Sequence, residues 1–206
     1  ELKNVFLSDD IFVLASKKKN IQQFLESVTV ENTEFIFDFD GTLTLPVLQD
    51  AFNAARQEDE SFGMNTQVID DFMFRKGAIV FLRLLLATGF EVKIHSLGFK
   101  EVISQVLIHN GIIFPIENIF ANSFESPVFS KTHIPLVLNG EKKQIILGDN
   151  AIDFQLSTLQ ESLKIGFLTG KKQLQMNKET DFYFMKNAGD YLYLYQIFRR
   201  FFGKKG

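Results

Sequence analysis

The sequence predicts an α/β fold in which a mainly parallel sheet lies between helices in a three-layer arrangement. Short segments rich in Phe, Ile and Val alternate with segments of helical spacing, the pattern of repeated β-α units. The chain has 206 residues, of which 46% are hydrophobic, so it can bury one sizeable core. Gly and Pro are scattered, and no repeat or low-complexity linker divides the chain. We therefore expect a single domain spanning residues 1–206.

The predicted strands are short, apolar and bounded by Gly or polar residues. In chain order they are 34–39, 91–96, 118–121, 144–147, 164–168 and 182–185. The predicted helices have helical spacing, and the first follows Asp9 and Asp10, which suit an N-cap. They are 11–27, 77–87, 100–109, 149–163 and 189–202. Residues 1–33 thus form a predicted helical lead-in, and the polar segment 46–75 forms a small helical insertion.

Composition and charge exclude several classes of protein. The chain has 22 basic and 25 acidic residues and a net charge of -3, so we expect no nucleic-acid partner. Because it has no Cys, it has no disulfide framework, no thiol nucleophile and no Cys-ligated metal. The longest apolar stretch, 77–90, contains Arg83 and is shorter than the ~20 residues of a spanning helix. We therefore expect no membrane span.

The absence of Cys also fits a reducing compartment, and we expect a cytoplasmic protein. Because the first residue is Glu1 and not Met, we expect a processed chain or a piece of a longer protein. If the chain is part of a larger bacterial effector, delivery to a host cell is the alternative location. The sequence leaves the oligomeric state open.

Two carboxylates, Asp38 and Asp40, lie at the end of the first predicted strand. In an extended chain, residues two apart point to the same side. Like charges placed together raise each other's cost of ionisation, so a purely structural role is unfavourable. A Mg²⁺ ion relieves this conflict because it prefers oxygen ligands. The pattern therefore predicts magnesium as the cofactor at this strand end.

Further polar residues lie near the ends of other predicted strands. Ser96 ends the second strand, Lys131 lies in a loop, and Asp149 and Asp153 follow a later strand. In parallel sheets the ligand binds beyond the carboxyl ends of the strands. This set of groups suits phosphoryl transfer through an aspartyl phosphate, because magnesium and lysine offset the repulsion between carboxylate and phosphate. A hydroxyl and backbone N–H groups would hold the phosphate oxygens, while a second carboxylate would donate and later accept a proton.

These residues also carry a family resemblance. The segment 38–44, DFDGTLT, resembles motif I of the haloacid dehalogenase superfamily. Ser96, Lys131 and the segment 148–153, GDNAID, resemble its motifs II, III and IV in the family's order. The match covers about residues 34–170 and implies a three-layer Rossmann-like fold.

The resemblance implies a role for each matching residue. Asp38 would be the nucleophile and Asp40 the general acid/base. The residues implied to bind phosphate are Thr42, Ser96, Leu97 and Lys131. The implied magnesium ligands are Asp38, the backbone carbonyl of Asp40, and Asp149, with Asp153 and Asn150 in support. The phosphoserine phosphatase form of motif IV has Asn just before its last Asp, where this chain has Ile152, so a metal role for Asn150 is open.

Asp40 also indicates the subclass. The superfamily's P-type ATPases and dehalogenases lack a carboxylate two residues after the nucleophile, so Asp40 implies a phosphatase. The segment 96–99 is similar to the phosphoserine phosphatase pattern, whereas 164–168 and the helix 100–111 look like pyrimidine 5′-nucleotidases. Three functions stay open: a phosphatase for phosphorylated proteins, a small-molecule phosphatase such as a 5′-nucleotidase, and a non-catalytic phosphate-binding module.

The length of the insertion favours the first of these functions. Superfamily members that act on small molecules usually carry a cap domain after motif I or between motifs II and III. Here the segment 46–75 is short, and core elements fill the second position. We therefore expect a minimal cap and an open site that suits a phosphoprotein, with phosphotyrosine preferred. Four aromatic residues of the insertion would either pack it down or line an apolar wall for an aromatic substrate: Phe52, Phe62, Phe72 and Phe74.

Overall fold

The computed structural model describes residues 11–13, 18–45, 73–155, 161–167, 182–184 and 191–202. Its strands are β1 (Ile11–Val13), β2 (Thr33–Phe37), β3 (Glu91–Phe99), β4 (Ile119–Asn122), β5 (Lys143–Gly148), β6 (Ser162–Phe167) and β7 (Phe182–Phe184). They form one sheet in the order β1-β7-β6-β5-β2-β3-β4. The β1–β7 pair is antiparallel, and the other neighbouring pairs are parallel. The predicted α/β class with a mainly parallel sheet is confirmed.

Five α-helices are described alongside the sheet. They are α1 (Lys18–Glu26), α2 (Ala78–Thr88), α3 (Lys100–His109), α4 (Ala151–Gln155) and α5 (Tyr191–Phe202). The main core on one face of the sheet includes apolar residues of α1, α2, α3 and α5. A smaller cluster on the other face joins Ile36 of β2 and Ile146 of β5 to Phe154 of α4. Helices thus cover both faces of the sheet, as a buried parallel sheet requires.

Aromatic rings dominate the centre of the main core. The Phe35 ring of β2 packs edge-on against Phe90, Phe198 and Phe81, with centroids 5.2, 5.4 and 6.2 Å away. Such edge-to-face pairs stabilise a core beyond the area that they bury. These contacts link β2 to α2 and α5 and hold in place the strand that ends just before Asp38.

Some predicted boundaries were wrong. Residues 11–13 form strand β1, not the start of a helix, because they pair with β7, a strand distant in sequence. The helical part of the predicted lead-in is Lys18–Glu26. The predicted helix 149–163 extends too far, since α4 is described over Ala151–Gln155 and Ser162 already belongs to β6. The second predicted strand is too short, because β3 continues to Phe99.

The two ends of the predicted insertion lie side by side. The Leu45 N–H donates to Met73 O and the Arg75 N–H donates to Leu43 O, both at 2.8 Å. Residues 46–72, and with them the predicted minimal cap, lie outside the described residues. The described base of the insertion is therefore a short antiparallel bridge directly after motif I.

Of the four insertion aromatics, Phe74 is described. Its ring packs edge-on against the buried ring of Phe39, with centroids 6.1 Å apart. Phe74 thus holds the base of the insertion against the core. The other three lie outside the described residues: Phe52, Phe62 and Phe72. Across the part of the chain that the structure describes, no helix is both long enough and apolar enough to cross a membrane.

Candidate active site

Parallel pairing of β2 with β3 and β5 brings the sequence motifs to one edge of the sheet. Phe37 of β2 lies opposite Leu147 of β5, and the Asp38 N–H donates to Leu147 O at 2.9 Å. Asp38 therefore lies just beyond the sheet, beside the turn that contains Asp149. On its other side β2 pairs with β3, which carries Ser96. The structure thus places motifs I, II and IV on neighbouring strands.

Asp38 is held by two side chains, one on each carboxylate oxygen. It is 8% exposed, and its Oδ2 accepts a hydrogen bond from the Thr42 hydroxyl at 2.8 Å. Its Oδ1 lies 2.6 Å from Nζ of Lys131, which also contacts Asp153 Oδ1 at 2.5 Å. A single buried ammonium group therefore bridges a motif I carboxylate and a motif IV carboxylate.

The charge of Lys131 is matched to these carboxylates. Burial alone would lower the pKa of Lys131, but Asp38 and Asp153 raise it above its ordinary value. Burial and the nearby Asp38 charge raise the pKa of Asp153 to about 6, against the lowering effect of Lys131. Lys131 therefore stays protonated. Its single positive charge does not balance both of the carboxylates that it contacts.

Replacing Lys131 should therefore destabilise the fold. In Lys131→Met, two buried carboxylates lose their ammonium partner, and breaking such a pair costs about 3–5 kcal/mol. The loss should be smaller at pH 5 than at pH 8, because Asp153 already has a raised pKa and takes up a proton more easily at low pH. Urea unfolding with EDTA present measures both values.

The control for this prediction is Lys142→Met. Lys142 forms a partly exposed ion pair with Glu91 at 3.1 Å, for which the expected loss is at most ~1 kcal/mol. Equal losses in the two variants at pH 8 would show that the Lys131 bridge contributes no more than a surface pair.

Asp40 lies in an environment that favours its neutral form. It is half-buried, and burial together with the charge of Asp38 raises the pKa of Asp40 from 3.8 to about 7. Lys131 and a hydrogen bond from the Ser96 hydroxyl lower it in part. A carboxyl group with a pKa near 7 can both donate and accept a proton at neutral pH.

The turn between Asp38 and Thr44 depends on a glycine. Gly41 adopts φ +80°, a left-handed conformation that L side chains rarely take. A Cβ at this position would lie 2.5 Å from Oδ2 of Asp149. Gly41 therefore lets the motif I turn approach the motif IV carboxylate closely.

Gly41→Ala tests this close approach. The variant should lose about 1–3 kcal/mol of stability through backbone strain. Because Asp149 must move, the expected hydrolysis of a phosphomonoester should slow at least about tenfold. Gly89→Ala is the matched control, since Gly89 also has a left-handed φ of +89° but its Cβ would meet Val30 at an ordinary 3.6 Å. We expect it to lose stability without losing turnover, which a steady-state assay with thermal melts can establish. Equal loss of turnover in both variants would contradict a specific role for Gly41.

The motif IV residues surround the start of α4. The Asn150 N–H donates to Oδ2 of Asp153 at 2.9 Å, and Asp153 N–H donates back to Asn150 O at 3.1 Å. A Cβ on Gly148 would collide with the Asp153 carboxylate, so that glycine is also a close-approach position. Asn150 is exposed, and its described contacts to Asp153 come from the backbone. In the structure Asn150 thus supports Asp153 through its peptide group.

Three carboxylates form a group that suits a divalent cation. Oxygen atoms of Asp38, Asp149 and Asp153 all lie within 4.8 Å of one another. Asp149 is half-buried, and the other two are buried. Hard oxygen donors in such a group fit Mg²⁺ better than softer metals. The donor set therefore agrees with the magnesium site expected from the sequence. Asp153, expected only to support the metal ligands, lies within the carboxylate cluster itself.

Ser96 and its neighbours form the second side of the site. Ser96 is buried, and its Oγ accepts the Gly98 N–H at 2.9 Å. Asn122 at the end of β4 donates to Leu97 O at 2.6 Å and pairs with the backbone of Val128. Asn122 thus connects the C-terminal part of β3 to the loop that leads to Lys131. Searching every strand end for polar residues would have identified it.

Two other buried residues beside the site did not emerge from the sequence motifs. Arg75 donates from both Nε and Nη2 to the carbonyl oxygen of Gly41, and the hydroxyl of Tyr191 donates to the carbonyl oxygen of Thr42. Neither follows a core strand. The available sequence signal for Arg75 was a charged residue shortly before the apolar helix α2.

His95 has a structural place behind the site. Alternation along β3 directs it away from Ser96, and its Nε2 lies 3.2 Å from Ile134 O. Burial and the charge of Lys131 lower the pKa of His95 to about 4. His95 is therefore neutral at physiological pH and packs beneath the short helical turn that begins at Lys131.

Solved structures with the same architecture include known phosphatases. A crystal structure of cytosolic 5′-nucleotidase IIIB bound to cytidine has a TM-score of 0.69 at 14% identity, covering 99% of this chain and 98% of that one. An apo phosphoserine phosphatase has a TM-score of 0.52 at 16% identity, covering 80% and 98% of the two chains. A substrate-bound phosphoserine phosphatase has a TM-score of 0.50 at 14% identity, covering 80% and 97%.

At these identities the similarity concerns the fold. No protein-family model matches the chain, and no curated protein matches it. The three structures are those of a 5′-nucleotidase and of phosphoserine phosphatases, and their similarity confirms the Rossmann-like α/β fold implied by the four motifs.

Proposed function

We propose that this chain is a Mg²⁺-dependent phosphomonoester hydrolase that works through an aspartyl phosphate on Asp38. The proposal rests on the surroundings of that carboxylate. Asp38 contacts Lys131 and Thr42. Together with Asp149 and Asp153 it forms a cluster of three carboxylates that suits a cation. Burying charged groups together in this way costs desolvation free energy, which is unfavourable for a purely structural role.

In the first step an Asp38 oxygen attacks the phosphorus atom of the substrate. The bond from phosphorus to the leaving oxygen breaks, and Asp40 gives its proton to that oxygen. The raised pKa of Asp40, about 7, keeps a large fraction of the group protonated at neutral pH. The Thr42 hydroxyl fixes the carboxylate of Asp38 so that one oxygen can face the phosphate.

In the second step water hydrolyses the acyl phosphate. Asp40, now ionised, accepts a proton from the attacking water, and the phosphorus–Asp38 bond breaks to release inorganic phosphate. Both residues thereby return to their starting protonation states. Before substrate binds, the Ser96 hydroxyl forms a hydrogen bond with Asp40.

Binding of the phosphate group requires positive charge and donors. Lys131 would lie beside the transferred phosphoryl group, and the Ser96 hydroxyl and the N–H groups near Leu97 would bind its oxygens. Mg²⁺ held by Asp38, the Asp40 carbonyl and Asp149 would lower the electrostatic repulsion between the carboxylates and the phosphate. Asp153, on Lys131, keeps that lysine directed at Asp38.

For the substrate of this activity, we propose a preference for phosphotyrosyl proteins, as expected from the sequence. It rests on a single domain over residues 1–206 with a small insertion at 46–75, which would leave the site accessible. Exposed apolar side chains on the Ser96 side support an aromatic substrate: Leu97 is 40% exposed and Phe124, stacked on Phe99 at 4.6 Å, is 42% exposed. They could contact a ring that carries the phosphate.

A small-molecule substrate is the second candidate. The nucleotidase structure that aligns over nearly all of this chain contains cytidine, a nucleoside whose 5′-phosphate is a phosphomonoester. A nucleoside monophosphate would place its planar base against the same exposed apolar side chains, Leu97 and Phe124. This candidate differs from the first in the size of the substrate, and the chemistry at Asp38 is the same.

A panel of phosphomonoesters distinguishes these proposals. We expect hydrolysis of an aryl phosphate that requires Mg²⁺ and is lost with EDTA. Phosphotyrosyl peptides should surpass phosphoseryl peptides and nucleoside monophosphates in kcat/KM. A large advantage for the nucleotides would replace the first candidate with the second. Phosphate binding without turnover of any ester would instead indicate a non-catalytic binding module.

A further inference from the structure

Side chains from distant parts of the chain hold two consecutive carbonyl groups of the motif I turn. Arg75 Nε and Nη2 donate to Gly41 O at 3.0 and 2.6 Å. The hydroxyl of Tyr191, the first residue of α5, donates to Thr42 O at 3.1 Å. The peptide groups that follow Gly41 and Thr42 are therefore fixed from outside the turn.

Arg75 and Tyr191 form one buried stack with Phe167. Arg75 is 2% exposed and Tyr191 is 0% exposed. The guanidinium carbon of Arg75 lies 5.0 Å from the Phe167 ring centroid, and that ring stacks on the Tyr191 ring at 5.0 Å. Cation–π contact and ring packing restrict both side chains to one geometry. Burial lowers the pKa of Arg75, whereas Tyr191 and Asp149 raise it.

The two carbonyl groups, those of Gly41 and Thr42, lie next to residues with proposed roles in phosphoryl transfer. Gly41 lies between Asp40 and Thr42 in the chain, and a Cβ at this position would collide with the Asp149 carboxylate. The position of Gly41 therefore limits how closely the motif I turn approaches Asp149. Thr42 donates to Asp38 from its hydroxyl while Tyr191 holds its carbonyl. A small shift of this turn would move the nucleophile, the acid/base group and a metal ligand together.

We infer that Arg75 and Tyr191 are positioning residues that fix the motif I turn for phosphoryl transfer. This inference rests on the proposed function, because it assigns the two residues to the chemistry of Asp38 and Asp40. Neither residue needs to touch the substrate. Misplacement of reacting groups by about 1 Å can reduce rates about 100-fold, so such remote contacts can have large effects on turnover.

The variants that test the inference are Arg75→Lys and Tyr191→Phe. The first retains the charge but cannot donate twice to one carbonyl, and the second removes a single hydroxyl while keeping the ring. Their matched controls are Arg83→Lys and Tyr195→Phe. Arg83 also donates to two backbone carbonyls, those of Asn110 and Gly111, and Tyr195 packs against the main core one turn further along α5.

Four quantities are measured for each variant: kcat and KM for an aryl phosphate, the melting temperature, and amide hydrogen exchange in peptides covering 38–45. We expect kcat to fall about fivefold to tenfold in Tyr191→Phe and at least about tenfold in Arg75→Lys. KM should change less than twofold, since substrate contacts persist. Exchange in 38–45 should accelerate in both variants, and the controls should match the wild type in kcat and in this exchange.

Different outcomes separate this inference from the proposed function. If the wild type hydrolyses no phosphomonoester, the proposed function fails, while the exchange measurement still reports whether the two residues hold the turn. If the wild type is active but kcat and exchange in the two variants equal those of their controls, the positioning role is wrong. A melting temperature that falls equally in variants and controls, with unchanged kcat, would leave Arg75 and Tyr191 as core residues and overturn the inference.

Discussion

Asp38→Asn is expected to reduce phosphomonoester hydrolysis at least about 10,000-fold, because an amide cannot form the acyl phosphate. The substitution preserves the size of the side chain and can retain the hydrogen bond with Thr42. Lys131 keeps its second partner, Asp153, so the fold should persist. Steady-state assays with an aryl phosphate, together with thermal melts, measure both effects.

The matched control is Glu91→Gln, an acid-to-amide change at the opposite end of the same sheet. Glu91 starts β3 and pairs with Lys93 and Lys142, away from motif I. We expect this variant to hydrolyse phosphomonoesters at the wild-type rate. Turnover by Asp38→Asn within tenfold of this control would exclude Asp38 as the nucleophile.

Asp40→Asn should have the second-largest effect on turnover. The amide cannot give a proton to the leaving oxygen or take one from water, and general acid–base catalysis typically contributes about 100- to 10,000-fold. The loss should be greater for alkyl phosphates than for aryl phosphates, because a good leaving group needs less protonation. Comparison of kcat for one ester of each kind measures this difference.

The same substitution should stabilise the metal-free protein. The pKa of Asp40 is about 7 when folded and 3.8 as its ordinary value, so ionisation of this group opposes folding. That penalty grows as the pH rises from 3.8 and is complete above pH 7. Asp40→Asn should therefore raise the melting temperature more at pH 8 than at pH 5, with EDTA present in both.

Loss of turnover with gain of stability is the expected combination for a functional group that is unfavourable for the fold. A destabilised Asp40→Asn at pH 8 would instead indicate that the charged carboxylate supports the structure. Retained turnover with alkyl phosphates would assign the proton transfer to another group.

The residues brought together at the sheet edge could largely be predicted from sequence. Asp38, Ser96 and Asp149 follow apolar segments whose residue types favour strands, and parallel strands end at a common edge. Local pattern and long-range packing agree at these positions. Gly41, a residue type typical of turns, takes the left-handed conformation in the structure.

Other features depend on partners that no local pattern reveals. Residues 11–13 become a strand because β7 lies beside them, although the polar residues before them resemble a helix start. Arg75 and Tyr191 gain their significance from carbonyl groups in a turn distant in sequence. Backbone acceptors have no residue type, so a side chain that binds them leaves no matching signal in the sequence.

In the proposed mechanism the phosphoryl group passes through a covalent bond to Asp38. The most direct measurement is mass spectrometry of peptides from enzyme that has been mixed with an aryl phosphate and quenched rapidly in acid. We predict one added phosphoryl group on the peptide that contains Asp38, absent from Asp38→Asn and from samples without Mg²⁺. Full turnover with no phosphorylated intermediate, or a phosphoryl group on a different residue, would contradict the claim.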